Sequence, residues 1–138
     1  MSEEDAAERA ERLEREAHAA IAEFSLKDGI RLLREALRIR EASQGETHPD
    51  LIWTLSLWIE ALRREHQPES AREAAHIGER RLALRRAVLA GATDELVRSL
   101  RELMELYTFE DDAFDTRRVD ELQRELDVLP ATRDERDS

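Results

Sequence analysis

Ala36-Leu37-Arg38-Ile39-Arg40-Glu41, Gly45-Glu46-Thr47-His48-Pro49-Asp50 and Leu51-Ile52-Trp53-Thr54-Leu55 together decide how the chain is read. Before the connector, Ile30, Leu33, Leu37 and Ile39, helped by Ala36, recur at helical intervals. After it, Leu51, Ile52, Leu55, Trp58, Ile59 and Leu62 mark the inward side of a further helix. Between them, Gly45 offers a left-handed terminating conformation. Pro49 suits the first turn of the next helix, where no amide donor is needed. The upstream helix should fade near Ser43, and the downstream one should end at Gln67-Pro68.

The same reading extends outward to six helices. The first spans about residues 4–23, with Leu13, Ala17, Ala20, Ile21 and Phe24 on its apolar side. Ser25 fits the N-cap of the second, with Asp28 supplying part of a capping box. Gly29 is costly inside a helix, but its missing side chain permits a close helix crossing. The fourth helix covers 69–89, with Ala71, Ala75, Leu82 and Val88 as buried candidates. Gly91-Ala92-Thr93 breaks the pattern, with Thr93 as a cap and Asp94 and Glu95 at the positive end of the fifth helix. That helix carries Leu96, Val97, Leu100, Leu103, Met104 and Tyr107. A sixth begins between Asp111 and Thr116, held by Phe114, Val119, Leu122, Leu126 and Leu129. Pro130 ends it, leaving one domain over residues 1–130 and a mobile polar tail over 131–138.

Composition agrees with an all-α chain of one domain. The 138 residues are too few for two ordinary cores. Four Gly and three Pro leave few turns, and 4% aromatic residues argue against an all-β fold. The net charge of -11 disfavours nonspecific attraction to nucleic acid or an anionic membrane. The absence of Cys excludes a disulfide framework, a thiol nucleophile and a thiolate metal site. The acidic start, Met1-Ser2-Glu3-Glu4-Asp5, lacks a signal-peptide pattern, and no apolar run is long enough to cross a membrane. A cytoplasmic location is expected.

Weak internal repetition accompanies the helical pattern. Leu51, Leu55 and Leu62 compare with Leu96, Leu100 and Tyr107 at an offset of 45. Gly29 compares with Ala71 and Ala113 at an offset of 42, small residues at the same point of successive second helices. Three antiparallel hairpins stacked on one another follow from this, with the middle pair buried on both faces. The competing arrangement is an irregular bundle in which the third hairpin packs back across the first.

The segment from Gly29 to Leu62 resembles the longer tetratricopeptide repeat of kinesin light chains. The carriers of the resemblance are Ala36 to Glu41, Gly45 to Asp50 and Thr54-Leu55. It implies a right-handed helical solenoid with a protein-binding groove. In that family paired Asn residues commonly follow the Leu matched by Leu55; here Ser56 and Leu57 stand there, and Leu57 cannot clamp a peptide backbone. The corresponding places in the outer hairpins read Glu14-Arg15 and Arg101-Glu102. The departures imply binding by charge and shape.

The expected binding face is the concave side of the first helices, with Arg15, Trp53, Leu57, Arg98 and Glu102 at its centre and Ser56 and Arg101 beside them. Arg15 and Arg98 are placed to meet partner carboxylates, Leu57 an apolar side chain, and Trp53 its edge. Trp58 fits the inward stripe, whereas Trp53 should be partly exposed, free to cover a connector or anchor a partner, including a second copy of the chain. Phe109 and Phe114 either plug the last hairpin or form a sticky terminal edge.

The function expected is a non-enzymatic module binding an unknown protein or peptide, with no cofactor, metal, nucleic acid or membrane. His18, His48, His66 and His76 are dispersed, and His48 has a structural explanation in the connector. No phosphate loop or dinucleotide fingerprint is present. Arg80-Arg81 and Arg85-Arg86 read as a solvated face with acidic neighbours rather than a nucleic-acid strip. The alternative function is an inhibitor or immunity protein that neutralises a basic effector.

Overall fold

Small side chains at helical spacing set the first packing seam. The computed structural model describes residues 2–88 and 93–129. Helix α1 (Glu3–Ala22) buries Ala6, Ala10, Glu14, Ala17 and Ile21 in one stripe against α2 (Leu26–Gln44). Gly29 on α2 lets the two backbones approach: a Cβ there would lie 2.9 Å from Ile21 Cγ1 and 3.4 Å from the Ala17 carbonyl oxygen. The close crossing read from Gly29 is therefore present.

The turn between α1 and α2 corrects one expectation. Phe24 does not continue the apolar side of α1; it has a φ of 61° and is 68% exposed. The helix ends at Ala22, and Phe24 takes the left-handed position of a Schellman turn. Its amide donates to the Ile21 carbonyl at 3.0 Å, and the Ser25 amide to the Ala20 carbonyl at 2.8 Å. This φ swings the ring off the helical stripe and over Arg64, whose guanidinium carbon lies 5.4 Å from the ring centre. Ser25 stands at the N-cap of α2, but its side chain makes no capping hydrogen bond.

Gly45 closes α2 with φ 89° and ψ 171°, a positive φ as expected but with extended ψ. Pro49 lies just before α3 (Leu51–Glu65) rather than in its first turn, and its carbonyl accepts from the Ile52 amide at 3.0 Å. The His48 ring orders this connector, its Nδ1 accepting from the Asp50 amide at 3.1 Å.

Helix α3 is buried on most sides, because it packs against α1, α2 and α4 (Pro68–Val88). Leu51, Leu55, Trp58, Ile59 and Leu62 are inside as read, and Thr54, Leu57 and Ala61 join them. The Arg34 guanidinium covers the Trp58 ring at 5.7 Å. Pro68 both ends the preceding pattern and starts α4, which buries Ser70, Ala74, Ala75, Ile77, Gly78, Arg81, Leu82 and Leu84. Ala71 is only half-buried. The close approach on this helix falls at Gly78, where a Cβ would meet Leu103 Cδ1 at 2.8 Å.

Helix α5 (Thr93–Phe109) buries Val97, Ser99, Leu100, Leu103 and Leu106. A 3-10 turn (Asp111–Ala113) leads to α6 (Thr116–Val128). Ala113 thus sits in that turn rather than within a second helix, which removes it from the proposed set of small crossing residues. Asp115 caps α6, its Oδ1 accepting from the Arg118 amide at 3.0 Å. Leu122 is the buried anchor of α6, with Leu126 and Leu129 packed beside it. Phe109 and Phe114 are 77% and 59% exposed, so neither plugs the last hairpin. The break at Gly91-Ala92 and the tail over 131–138 lie outside the described residues, as do the side chains of Val88 and Thr93.

All regular structure among the described residues is helical. Each helix packs chiefly on its neighbours in the chain, and α1 also touches α3. Polar contacts join alternate helices. Arg34–Glu73 at 3.7 Å and Arg80–Glu41 at 3.4 Å join α2 to α4, while Arg118–Glu79 at 2.6 Å and an Arg86–Glu125 pair join α4 to α6. On the other set, Thr54 meets Glu14 across α1 and α3, and Arg63 meets Glu105 at 3.6 Å across α3 and α5. The Arg-rich stretch of α4 is therefore largely engaged with neighbouring helices instead of forming a free solvated strip.

Candidate functional site

Arg15, Trp53, Ser56 and Arg98 border one cleft of about 700 Å³. Helical spacing on α1, α3 and α5 carries them to this common face. Trp53 is 54% exposed, as its place opposite Trp58 on α3 demands. The His18 ring stands against it edge-on, with ring centres 6.2 Å apart. Ser56 is half-buried, and its hydroxyl donates to the Ile52 carbonyl at 2.7 Å while accepting from Arg81 at 3.1 Å.

Three residues expected here are placed differently. Leu57 is 2% exposed and belongs to the core, so it offers no surface to a ligand. One residue step along a helix turns a side chain by about 100°, which carries Leu57 away from Ser56 and inward. Glu102 is half-buried and engaged by Arg81. Arg101 is exposed and does not border the cleft.

The floor of the cleft is a buried polar network. Glu14 Oε1 accepts from Arg40 Nε at 2.5 Å and from the Thr54 hydroxyl at 3.1 Å. Arg40 reaches on to Asp50 Oδ2 at 3.5 Å, which also accepts from Gln44 Nε2 at 3.0 Å. The connector, α1, α2 and α3 are thereby tied at one point beneath the open face. Abundant carboxylates and guanidiniums concealed this network in the sequence. Its available signal was Glu14 falling on the Ala6, Ala10 and Ala17 stripe, where a charge must find a partner.

At the far side, Arg85 of α4 borders the cleft with Glu95 and Arg98 of α5. Arg85 donates to the Ser99 hydroxyl and to the Glu95 carbonyl at 3.5 Å. Burial, with the cations of Arg81 and Arg98 nearby, holds its pKa below the ordinary arginine value.

A second polar cluster lies away from the cleft. Arg118 grips both oxygens of Glu79 at 2.6 Å, and the Tyr107 hydroxyl donates to Glu79 at 2.9 Å. Burial acts to raise the Glu79 carboxyl, but the hydrogen bonds from Arg118 and Tyr107 outweigh it and hold it below its usual range. Burial and the neighbouring carboxylate push the Tyr107 phenol up.

Among the described residues, no group of three or more His, Asp or Glu is placed to hold a metal. Among them also, no helix is long and apolar enough to cross a membrane. No family model matches the chain, and no curated protein matches it in sequence. The cleft combines an exposed aromatic, two outward guanidiniums and an ordered floor.

Proposed function

We propose that the chain is a short tetratricopeptide-like repeat module that binds a protein or peptide segment in the cleft on α1, α3 and α5. The observation that carries this reading is the common border formed by Arg15, Trp53, Ser56 and Arg98. Packing in chain order, with polar contacts linking alternate helices, supports stacked hairpins over a third hairpin folded across the first. Trp53 supplies apolar area, and the two arginines supply forked donors. The role is binding without catalysis, and the expected location is the cytoplasm.

The test begins with copurification from the native cell, followed by binding of the purified pair. Trp53→Ala and Arg98→Glu weaken that binding while leaving the circular dichroism spectrum intact. Equal affinity of both folded variants moves the site elsewhere. A second reading, neutralisation of a basic effector, is favoured by the net charge of -11. Its partner would be strongly basic, and its binding would resist Trp53→Ala while weakening steeply with salt.

A further inference from the structure

Four guanidiniums border the cleft: Arg15 on α1, Arg40 on α2, Arg85 on α4 and Arg98 on α5. Arg40 is committed to Glu14 and Asp50, which leaves the other three. Arg15 and Arg98 are exposed and engage no hydrogen bond or ion pair among the described residues. Arg85 is half-buried: its Nη1 donates to Ser99 and to the Glu95 carbonyl, while its Nε is shielded from water and has no acceptor. The nearby Arg81 Nε is likewise buried and without one. Such orphan donors are uncommon and costly, because a buried N–H forfeits its hydration.

The carboxylates of the cleft do not cancel this set. Glu14 and Asp50 are committed to Arg40. Glu11 and Glu95 remain at the border and limit long-range attraction, so an anion must be seated by direct contact. The first turn of α5 borders the same space through Glu95, and a helix start favours negative charge.

We propose that Arg15, Arg85 and Arg98 form a seat for a phosphoryl group carried on a side chain of the bound segment. The proposal deepens the cleft reading and rests on it. A carboxylate presents two oxygens in one plane, which a single guanidinium fork satisfies. A tetrahedral phosphoryl group presents three oxygens and close to two charges, matching donors that arrive from three helices.

The probes are N-acetyl-phosphoserine amide, inorganic phosphate and N-acetyl-aspartate amide, titrated at constant ionic strength. Arginine Nε–H resonances and tryptophan fluorescence are followed. The phosphoserine amide is expected to produce saturable shifts, displaced by inorganic phosphate. The aspartate amide should bind about tenfold more weakly, and Arg15→Gln and Arg98→Gln should each cost about tenfold, the order expected for one charge-assisted hydrogen bond. Equal binding of the aspartate amide, making this a general carboxylate site, overturns the proposal. So do non-saturating shifts, or unchanged phosphoserine affinity in both folded variants. A partner whose affinity falls in Trp53→Ala but is unaffected by phosphatase treatment ends the phosphoryl reading and leaves the cleft reading standing.

Discussion

Arg40 Nε lies 2.5 Å from Glu14 Oε1, with the two side chains only 6% and 3% exposed. This pair joins the end of α2, just before the connector, to the first helix. Asp50 extends the link into the connector and Thr54 into α3. The open face above it therefore rests on a charge pair rather than on apolar packing alone.

Breaking the pair from one side should be more harmful than removing both charges. Glu14→Ala leaves the Arg40 charge buried with only the more distant Asp50, and a loss of about 3 kcal/mol is expected. Glu14→Leu combined with Arg40→Met should cost less than the sum of the single changes. Urea denaturation of the unaltered protein, Glu14→Ala, Glu14→Leu, Arg40→Met and the double variant checks this. Additive losses would show that the two residues act independently.

Gly29→Ala should destabilise the protein by about 1 kcal/mol, despite the better helix propensity of Ala, because the added methyl meets Ile21. The same change combined with Ile21→Ala should show coupling, since the obstructing atom is gone. A net gain from Gly29→Ala alone, measured by thermal unfolding, would mean that α1 and α2 separate at no cost.

Phe24→Gly should stabilise the fold by about 0.5–1 kcal/mol. It relieves a left-handed cost of about 1–2 kcal/mol, partly offset by the lost Arg64 contact and by added freedom in the unfolded chain. The ring is largely exposed, so little burial is lost. Differential scanning calorimetry should show a higher Tm; a lower one would assign the ring a packing role.

The six helices were legible because their apolar stripes and breaks are local features. So was the outward position of Trp53, from its offset against Trp58. Leu57 was misplaced because the expected face came from a resemblance, while burial of α3 on several sides is a tertiary fact. Phe24 was misplaced because its spacing fits α1, whereas the turn that removes it depends on where the helix stops. Glu14 with Arg40, and Arg85 beside Arg98, became visible only when separate helices met.

Acid should weaken the α4–α6 junction through Glu79. Its folded pKa is held below the ordinary 4.5, so its contribution is present above that value and is lost as pH falls through the lower folded value. The stability difference between the protein and Glu79→Gln should therefore shrink as pH falls from neutral through 4.5 and on through the lower folded value. A difference that stays constant over that range would deny the linkage.

The most direct test of the proposed binding at the cleft is the dissociation constant of the copurified partner for four proteins: unaltered, Trp53→Ala, Arg98→Glu and Arg117→Glu. Arg117 lies on the exposed side of α6, away from the cleft, and serves as the charge control. The account predicts at least about a tenfold loss for the first two variants, equivalent to about 1.4 kcal/mol, and little change for the third. Equal affinities across all four folded proteins, or an equal loss in Arg98→Glu and Arg117→Glu with none in Trp53→Ala, would contradict it.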